Sequence, residues 1–388
     1  MGRWTRLNSR SRAVALLAAG ASAIVLIGLI LAVARPRGPT TPIASPTAIN
    51  DVPTPPSKPS PTTVPLDVTA HLNLGPREAT AMSTSPGFVW IATQGVTSSD
   101  AGALIRVDAT TARSTASWAV GGDPVAVAAA GGFVWVANAP ADGASNTPRQ
   151  NTVEQFSQAT GALVHAYQVP DPRGLVANPT SALVISSNPG QRTAISLLAS
   201  GQTKVVTTLP GTLNVPLSSL SPEVAVAMCS GQAYLALTDV LTASSNVTIY
   251  ALQPSDGSVR EVVTILNDYE ASMACDTTSL FLIGAAGDGD VSVARVTIAD
   301  GGVTNLWEGP YPVSVASLTG RIWIAYSDEL LNQTFLTSLD PVTGLAAAAR
   351  SVLPAPPSNG DPNILVPGDT GLWLVASLGN QLLHIATG

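Results

Sequence analysis

The sequence predicts an all-β protein, a seven-bladed β-propeller, and a repeat together with its period carries this prediction. A turn followed by four or five apolar residues recurs seven times, with its fourth residue at Trp90, Trp135, Val184, Tyr234, Phe281, Trp323 and Trp373. The copies follow one another at 45, 49, 50, 47, 42 and 50 residues, which is the period of propeller blades built from four short strands. Because 45% of the residues are apolar and only 11% are charged, a large buried core can form.

Blade 2 shows the complete repeat unit. Its four predicted strands cover residues 125–128, 133–137, 153–156 and 163–169. A glycine-containing turn separates the third strand from the fourth, and glycine supplies the positive φ that such hairpins need. A proline is expected to open the inner strand in six blades, where it costs no ladder hydrogen bond. These prolines are Pro76, Pro124, Pro172, Pro222, Pro312 and Pro362.

The first and last strands are expected to close the ring. The seventh blade has three strands of its own, and an unassigned strand-like run, Val68–Leu74, precedes the first inner strand. We expect this N-terminal strand to become the outer strand of the last blade, which removes the open sheet edges of an unclosed ring. The propeller domain would then cover residues 66–388.

The segment ahead of the propeller predicts a membrane anchor. Residues 1–12 hold four arginines and no acid, and residues 13–34 are uncharged. A helix of 22 residues spans a hydrocarbon core of about 30 Å, and flanking arginines mark the cytoplasmic side. We therefore expect a short cytoplasmic segment (1–12), a transmembrane helix (13–34) and an extracytoplasmic propeller in a single-pass protein of the bacterial cell envelope. Secretion after signal-peptide cleavage is the alternative.

Residues 35–65 predict a linker, because they hold ten prolines mixed with threonine and serine. Proline favours extended backbone, and in polyproline II geometry the linker could reach roughly 90 Å at about 3.1 Å per residue. The simplest interpretation is a spacer through a cell wall. A glycosylated stalk or a motif bound by another protein is the alternative.

Two blade segments resemble known propeller repeats. GGFVWVAN at Gly131–Asn138 looks like the second strand of the YVTN and NHL-like propellers, which include streptogramin-lyase-like proteins, and LIRVDAT at Leu104–Thr110 looks like their third. The arrangement with an anchor is also similar to the tethered sensor propellers of bacterial receptor kinases. The resemblance covers residues 66–388 and implies strand packing rather than a particular chemistry.

One face of the propeller is expected to carry the function. The connections from second to third strand and from blade to blade share a face, and the long insertions fall there, which is where binding sites usually lie. That face also collects most of the acidic residues, and Asp123, Asp171 and Asp361 occupy the same repeat position before the inner-strand proline. A cation or basic partner is one interpretation; aspartates that cap turns are the other. The expected binding residues are Asp123, Asp171, Arg173, Glu223, Glu270, Tyr311 and Asp361.

No cofactor is predicted, although a divalent cation would suit Asp288 and Asp290 in GDGD. An ordinary turn is the simpler interpretation of those four residues. Cys229 and Cys275 lie near the ends of neighbouring inner strands, and an outward-facing domain sits in an oxidising compartment, so we expect a disulfide between blades 4 and 5. Two separate buried thiols are the alternative. The three histidines, His71, His165 and His384, fall on third or fourth strands, where exposure is the default expectation.

These observations favour a binding, sensing or scaffold module, with a lyase or hydrolase at the channel mouth as the alternative. Residues 38–388 carry 12 basic and 25 acidic side chains, a net charge of 12 − 25 = −13, so a nucleic-acid partner is not expected. The expected partner is a protein, a peptide or a cell-wall glycan. No catalytic residue is predicted.

Overall fold

The computed structural model describes residues 66–95, 101–121, 123–139, 151–188, 192–210, 224–239, 246–265, 270–285, 291–309, 312–328, 333–353, 364–376 and 380–387. Within them, none of the segments forms a helix that could cross a membrane. The predicted anchor and linker, residues 13–65, lie outside the described residues.

The described residues form seven antiparallel sheets of four strands, so the predicted all-β, seven-bladed propeller is confirmed. Blades 1 to 3 contain β2 Ala79–Ser85, β3 Phe88–Thr93, β4 Ala103–Asp108, β5 Arg113–Ala119, β6 Asp123–Ala130, β7 Phe133–Ala139, β8 Thr152–Ser157, β9 Leu163–Gln168, β10 Pro172–Ala177, β11 Ala182–Asn188, β12 Arg192–Ala199 and β13 Gln202–Pro210. Blades 4 and 5 contain β14 Val226–Cys229, β15 Gln232–Asp239, β16 Asn246–Leu252, β17 Val259–Ile265, β18 Glu270–Cys275, β19 Ser279–Ala285, β20 Val291–Thr297 and β21 Val303–Gly309. Blade 6 contains β22 Pro312–Leu318, β23 Arg321–Asp328, β24 Gln333–Leu339 and β25 Arg350–Leu353, and blade 7 contains β26 Ile364–Pro367, β27 Leu372–Ala376 and β28 Gln381–Thr387.

The remaining strand, β1 Leu66–Asn73, closes the ring as predicted. It is the fourth strand of blade 7 and pairs antiparallel with β28, with Leu66 opposite Thr387 and Asn73 opposite Gln381. The inner strands of consecutive blades pack against one another, and β26 also packs against β2. The sheets therefore form a continuous ring around a central channel.

The core lies between the blades. The repeated aromatic residue of the second strand is almost fully buried and belongs to a cluster shared with the next blade: Trp90 lies in one cluster with Val134 of blade 2, and Trp373 lies in one cluster with Val89 of blade 1. A sheet buries both faces only when it has neighbours on both sides. The repeated apolar residues can therefore all be buried only if the blades form a closed ring, as they do in the structure.

Blade 3 differs from the predicted repeat by one residue. Val184 packs towards blade 2, whereas its neighbour Leu183 packs towards blade 4 as the repeat requires. The length of the turn before β11 is the reason: Ala177 pairs with Ala182 across four turn residues, whereas Ser85 pairs with Phe88 across two in blade 1. Blade 5 has the same four-residue turn, and there the repeated residue Phe281 comes one position after the first paired residue, Leu280. The fourth residue of the repeat in blade 3 is thus Leu183, and the prediction of Val184 was wrong.

The inner-strand prolines follow the prediction in part. Pro172 and Pro312 open their strands, and Pro124 is the second residue of β6. Pro76 instead lies in the turn after β1, three residues ahead of β2, so the prediction for blade 1 was wrong. Two of the predicted prolines lie outside the described residues: Pro222 and Pro362.

Serine hydroxyls join neighbouring inner strands. Ser83 of blade 1 accepts from the backbone N–H of Ala129 in blade 2 at 3.2 Å. The hydroxyls of Ser272 and Ser314 accept from the next blade in the same way, at 3.3 and 3.0 Å. Each serine supplies an acceptor to a strand edge that faces the channel, where no further strand can pair.

A disulfide joins blades 4 and 5. Cys229 and Cys275, the last residues of β14 and β18, are bonded with their Cα atoms 6.0 Å apart, which is the predicted pairing. It closes a loop of 46 residues in sequence separation, and a cross-link of this kind stabilises the fold by about 2–4 kcal/mol, mainly by restricting the unfolded chain.

The turns from first to second and from third to fourth strand share the face opposite the long insertions, which we call the short-turn face. Aspartate side chains cap several of these turns: Asp108 accepts from the backbone of Thr110 and Thr111, and Asp340 accepts from the backbone of Val342 and Thr343. Hydrogen bonds from these threonines lower the pKa of both carboxyls. The connection from β24 to β25 is longer than the other turns of this face, because residues 346–349 continue as an irregular edge before β25.

His384 lies at the ring closure and is half-buried rather than exposed, contrary to the default expectation. Its Nδ1 lies 2.6 Å from the Thr69 hydroxyl of β1, and its Nε2 lies 3.1 Å from the Thr370 hydroxyl in the turn before β27. The imidazole also packs on Trp373, with ring centroids 4.5 Å apart. One side chain thus joins three elements of the closing blade.

Comparison of Trp90 with Trp135 shows how much a single hydrogen bond to the indole N–H should contribute to stability. The Trp90 indole N–H donates to Ser85 at 2.9 Å, but the Trp135 N–H, in the same position of blade 2, has no partner, because Ala130 replaces the serine. Ser85→Ala should lower the free energy of unfolding by about 1–2 kcal/mol, and Ala130→Ser should raise it. Urea unfolding of both variants checks this. A loss of stability in Ala130→Ser would contradict it.

The closing blade should be sensitive to acid. Burial lowers the pKa of the His384 imidazole below its ordinary value of 6.5, so the unfolded chain binds this proton more readily than the folded protein. The contribution of His384 to stability is then complete above about pH 6.5 and is lost as the pH falls towards the lowered pKa. Urea midpoints measured between pH 8 and pH 5 should show this decline. His384→Gln should remove part of the decline, whereas the control His165→Gln should retain it.

Candidate functional site

The face opposite the short turns carries the connections from second to third strand and from blade to blade, and we call it the loop-rich face. It holds the longest connections, between β7 and β8 and between β13 and β14. All twelve internal intervals outside the described residues fall in connections of these two kinds. The described parts of this face are therefore the strand ends and the complete connections from blade 7 to blade 1 and from blade 2 to blade 3.

The described part of the channel wall is neutral except at this face. The described inner strands carry three charged residues, Asp123, Arg173 and Glu270, and each is the first or second residue of its strand. An inner strand begins at the loop-rich face, so all three lie at that mouth of the channel. The remaining inner-strand positions hold mainly alanine, valine, serine and methionine. Any electrostatic recognition by the described wall is thus confined to one mouth.

Three consecutive blades place a carboxylate at the same level of this mouth. Asp123 pairs opposite Ala139, and the backbone carbonyl of Asp171 accepts the N–H of Ser187 at 3.0 Å. Ala139 comes four residues after Trp135, and Ser187 comes four residues after Leu183, the repeated core residue of blade 3. Glu78 is the third carboxylate, since its carbonyl accepts the N–H of Gln94, four residues after Trp90.

Sequence reasoning did not single out Glu78 because its proline is displaced. In blades 2 and 3 the proline follows the acid, whereas in blade 1 it precedes the acid by two residues. Gln94 donates its side-chain amide to the Glu78 carboxylate at 2.8 Å, and Arg77 donates to the carbonyl of Ala101 at 2.8 Å. The pairing of the strand, rather than the proline, identifies the equivalent position.

Asp171 and Arg173 form an ion pair at the mouth in blade 3. Arg173 Nη2 lies 2.8 Å from Asp171 Oδ1, at angles outside the hydrogen-bond range, and both side chains are largely shielded from solvent. Asp171 has a left-handed backbone with φ of 41°, and its N–H donates to the side chain of Asn151, which is also left-handed. Left-handed residues other than glycine are strained and concentrate at functional sites. The ion pair therefore includes a residue whose backbone is strained.

The side chains of the other predicted site residues lie outside the described part of the structure. Glu270 heads β18, and only its backbone is described. Among the described residues, no group of three or more histidine, cysteine, aspartate or glutamate side chains is arranged to hold a metal ion. Five predicted residues lie outside the described residues: Glu223, Tyr311, Asp361, Asp288 and Asp290.

A buried glutamate near this mouth was missed by sequence reasoning. Glu154 on β8 is fully buried, and its Oε2 accepts from the backbone N–H of Gly121 at 3.0 Å and from the Asn138 amide at 3.2 Å. The corresponding positions in blades 1 and 7 hold Ile105 and Leu383. The signal was an acid at a third-strand position where the other six blades hold uncharged residues, which an alignment of third strands would have shown. These residues are Ile105, Ser196, Tyr250, Ala294, Thr337 and Leu383.

Asn138 extends this buried polar cluster. Its amide also donates to the Thr152 hydroxyl at 3.2 Å, whereas its carbonyl oxygen is fully buried without a hydrogen-bond partner. Removal of a buried acceptor leaves its donors without a hydrogen-bond partner. The loss of folding free energy is then larger than the net contribution of the hydrogen bond itself. Glu154 therefore fixes the blade 1–blade 2 connection, through Gly121, to the upper part of blade 2, next to Asp123.

This role predicts the effect of replacing Glu154. Glu154→Leu introduces an apolar side chain of the kind that blades 1 and 7 use, but it leaves the Gly121 N–H and one Asn138 N–H without this acceptor. We expect the free energy of unfolding to fall by about 2–4 kcal/mol, against about 1 kcal/mol for the control Ile105→Val. Chemical denaturation measures both. Unchanged or increased stability in Glu154→Leu would show that the carboxylate is not required by the fold.

The comparisons with known proteins show the fold alone. BamB from Moraxella catarrhalis superposes with a TM-score of 0.51 at 14% identity, over 83% of this chain and 99% of that one. Kuenenia stuttgartiensis hydrazine synthase superposes with a TM-score of 0.58 at 14% identity, over 82% and 98%. KlHsv2 with its loop 6CD replaced by a Gly-Ser linker gives 0.52 at 9%, over 77% and 89%. No protein-family model and no curated protein matches the chain.

Proposed function

We propose that the chain is a membrane-anchored extracytoplasmic propeller that binds a protein partner through its loop-rich face, as a binding or scaffold module. The observation that carries this proposal is the distribution of charge along the channel. The described inner strands are neutral except at one mouth, where Glu78, Asp123 and Asp171 stand at the same level beside the long connections.

The rest of the described structure supports a rigid platform rather than a moving part. The closing strand, the disulfide and the serine bonds between inner strands hold the blades together. Binding residues on loops over a rigid scaffold are a common arrangement in proteins. The N-terminal basic segment and uncharged run support the anchor, and the net charge of −13 supports a basic partner surface.

A peptide and a cell-wall glycan use the same face in this proposal but different chemistry. A glycan would stack on aromatic rings, and Tyr326 lies near the end of β23 at this face. It is largely buried and stacks on Phe335, with ring centroids 5.4 Å apart. The carboxylates at the mouth favour a basic protein or peptide over a neutral sugar.

The carboxylates provide the test. Asp123→Asn and Asp171→Asn together remove two negative charges at the mouth with little change of shape, so capture of a basic partner from a cell-envelope extract should weaken severalfold. The partner should also be released by moderate salt, because exposed charges are screened over about 10 Å at 0.1 M ionic strength. Capture by the full-length protein in detergent, followed by measured affinities, provides the readout.

The matched control removes two charges from the other face. Asp108→Asn and Asp340→Asn retain side-chain oxygens that can cap their turns, so the fold should persist and capture should not change. Equal capture by the mouth variant and the wild-type protein, with both folded, would contradict the proposal. Capture that depends on a glycan and resists salt would favour the wall as ligand instead.

A further inference from the structure

The closing strand β1 crosses the edge of blade 7 from the short-turn face to the loop-rich face. Leu66 pairs with Thr387, the last residue of β28. At the other end Asn73 pairs with Gln381, and the N–H of Leu74 donates to the carbonyl of Asn380 at 2.8 Å. The connection from β27 to β28 lies at the loop-rich face, so Leu66 lies at the short-turn face. A pull on the chain ahead of Leu66 therefore reaches the propeller at that face.

The direction of β1 decides how it carries a load. A pull against a point on the loop-rich face acts along β1, so the hydrogen bonds between β1 and β28 are loaded together. A pull against a point on the short-turn face acts across the strand, so the bonds break one after another from Leu66. Bonds that must fail together present a higher barrier, and the rate of forced unfolding follows that barrier.

Side chains add resistance to sliding. The ladder shifts register between Val68 and Ala70, and the Thr69 hydroxyl meets His384 there at 2.6 Å. His384 in turn contacts Thr370 and packs on Trp373. Thr69 belongs to β1 and His384 to β28. If β1 slides along β28, this contact must therefore break at the same time as the backbone hydrogen bonds between the two strands.

Apolar packing holds the strand on both sides. Ala70 and Leu72 pack against the cluster that includes Val89 of blade 1, while Leu66 and Val68 pack against the cluster of blades 6 and 7. Alternate β1 residues are half-buried along its whole length. Separation of β1 thus exposes apolar surface along the entire strand.

We propose that β1 is a mechanical clamp, which keeps the propeller closed when the chain ahead of Leu66 is pulled against an occupant of the loop-rich face. This inference rests on the proposed function for its two points of load, the anchored N-terminal segment and the bound partner. The clamp itself resides in the register and direction of β1.

Single-molecule pulling of the full-length chain in detergent tests the clamp. One handle is attached at Ser60→Cys, and the second at Ala101→Cys on the loop-rich face or at Val342→Cys on the short-turn face. These two positions are exposed and lie in blades 1 and 6, the neighbours of blade 7. The first rupture, which releases β1, should need a severalfold higher force with the Ala101→Cys handle. Equal forces, or a reversed order, would overturn the proposal.

Variants of β1 separate the side-chain contact from the ladder. Thr69→Val retains the shape and strand preference of the residue but loses the hydroxyl, so it should lower the rupture force in the Ala101→Cys geometry. His71→Gln, at an exposed position of the same strand, is the matched control and should leave the force unchanged. Equal forces for both variants would exclude Thr69 from the clamp. The pulling measurement requires neither a membrane nor a partner. It therefore tests the clamp even if the capture experiment finds no partner.

Discussion

The structure depends on the burial of one large side chain per blade against the next blade. Trp90, Trp135, Phe281, Trp323 and Trp373 are almost fully excluded from water, and burial of an aromatic side chain of this size is worth about 1.5–3 kcal/mol. No blade can bury this residue alone. The ring must therefore close, and the same demand explains why a strand from the beginning of the chain completes the last blade.

Closure divides the molecule into two faces with different roles. The short-turn face uses aspartate caps, left-handed glycines and the inter-blade disulfide, all of which fix the backbone. The loop-rich face collects the long connections and the charged ends of otherwise neutral inner strands. The buried Glu154 connects the two requirements, since it fixes a connection of the loop-rich face to the core of blade 2. An ionisable residue at a position where the other blades hold uncharged residues is a common mark of a position that serves more than packing.

The repeat made most of the fold predictable, and its local irregularities account for the differences. The period and the apolar pattern predicted the blades and the closing strand, because alternation of apolar residues identifies single strands. The offset in blade 3 depends on the length of the turn before β11, and the position of Glu78 depends on strand pairing rather than on Pro76. The mouth residues Asp123, Asp171 and Arg173 follow from repeat position, but the ion pair between Asp171 and Arg173 and the left-handed backbone of Asp171 do not. Contacts across space, such as Glu154 with Gly121, have no signature in a single sequence.

The closing strand also sets the order in which the protein can fold. Thr69 and His384 are 315 residues apart, so β1 has no partner until β28 has been synthesised. Contacts of such long range raise contact order and slow folding, and an unpaired strand edge is exposed to other chains during that time. The exposed threonine, histidine and asparagine side chains of β1 reduce the tendency of that edge to pair wrongly. The alternation that gives β1 apolar residues for packing also gives it polar residues, and these keep the strand soluble before β28 is available.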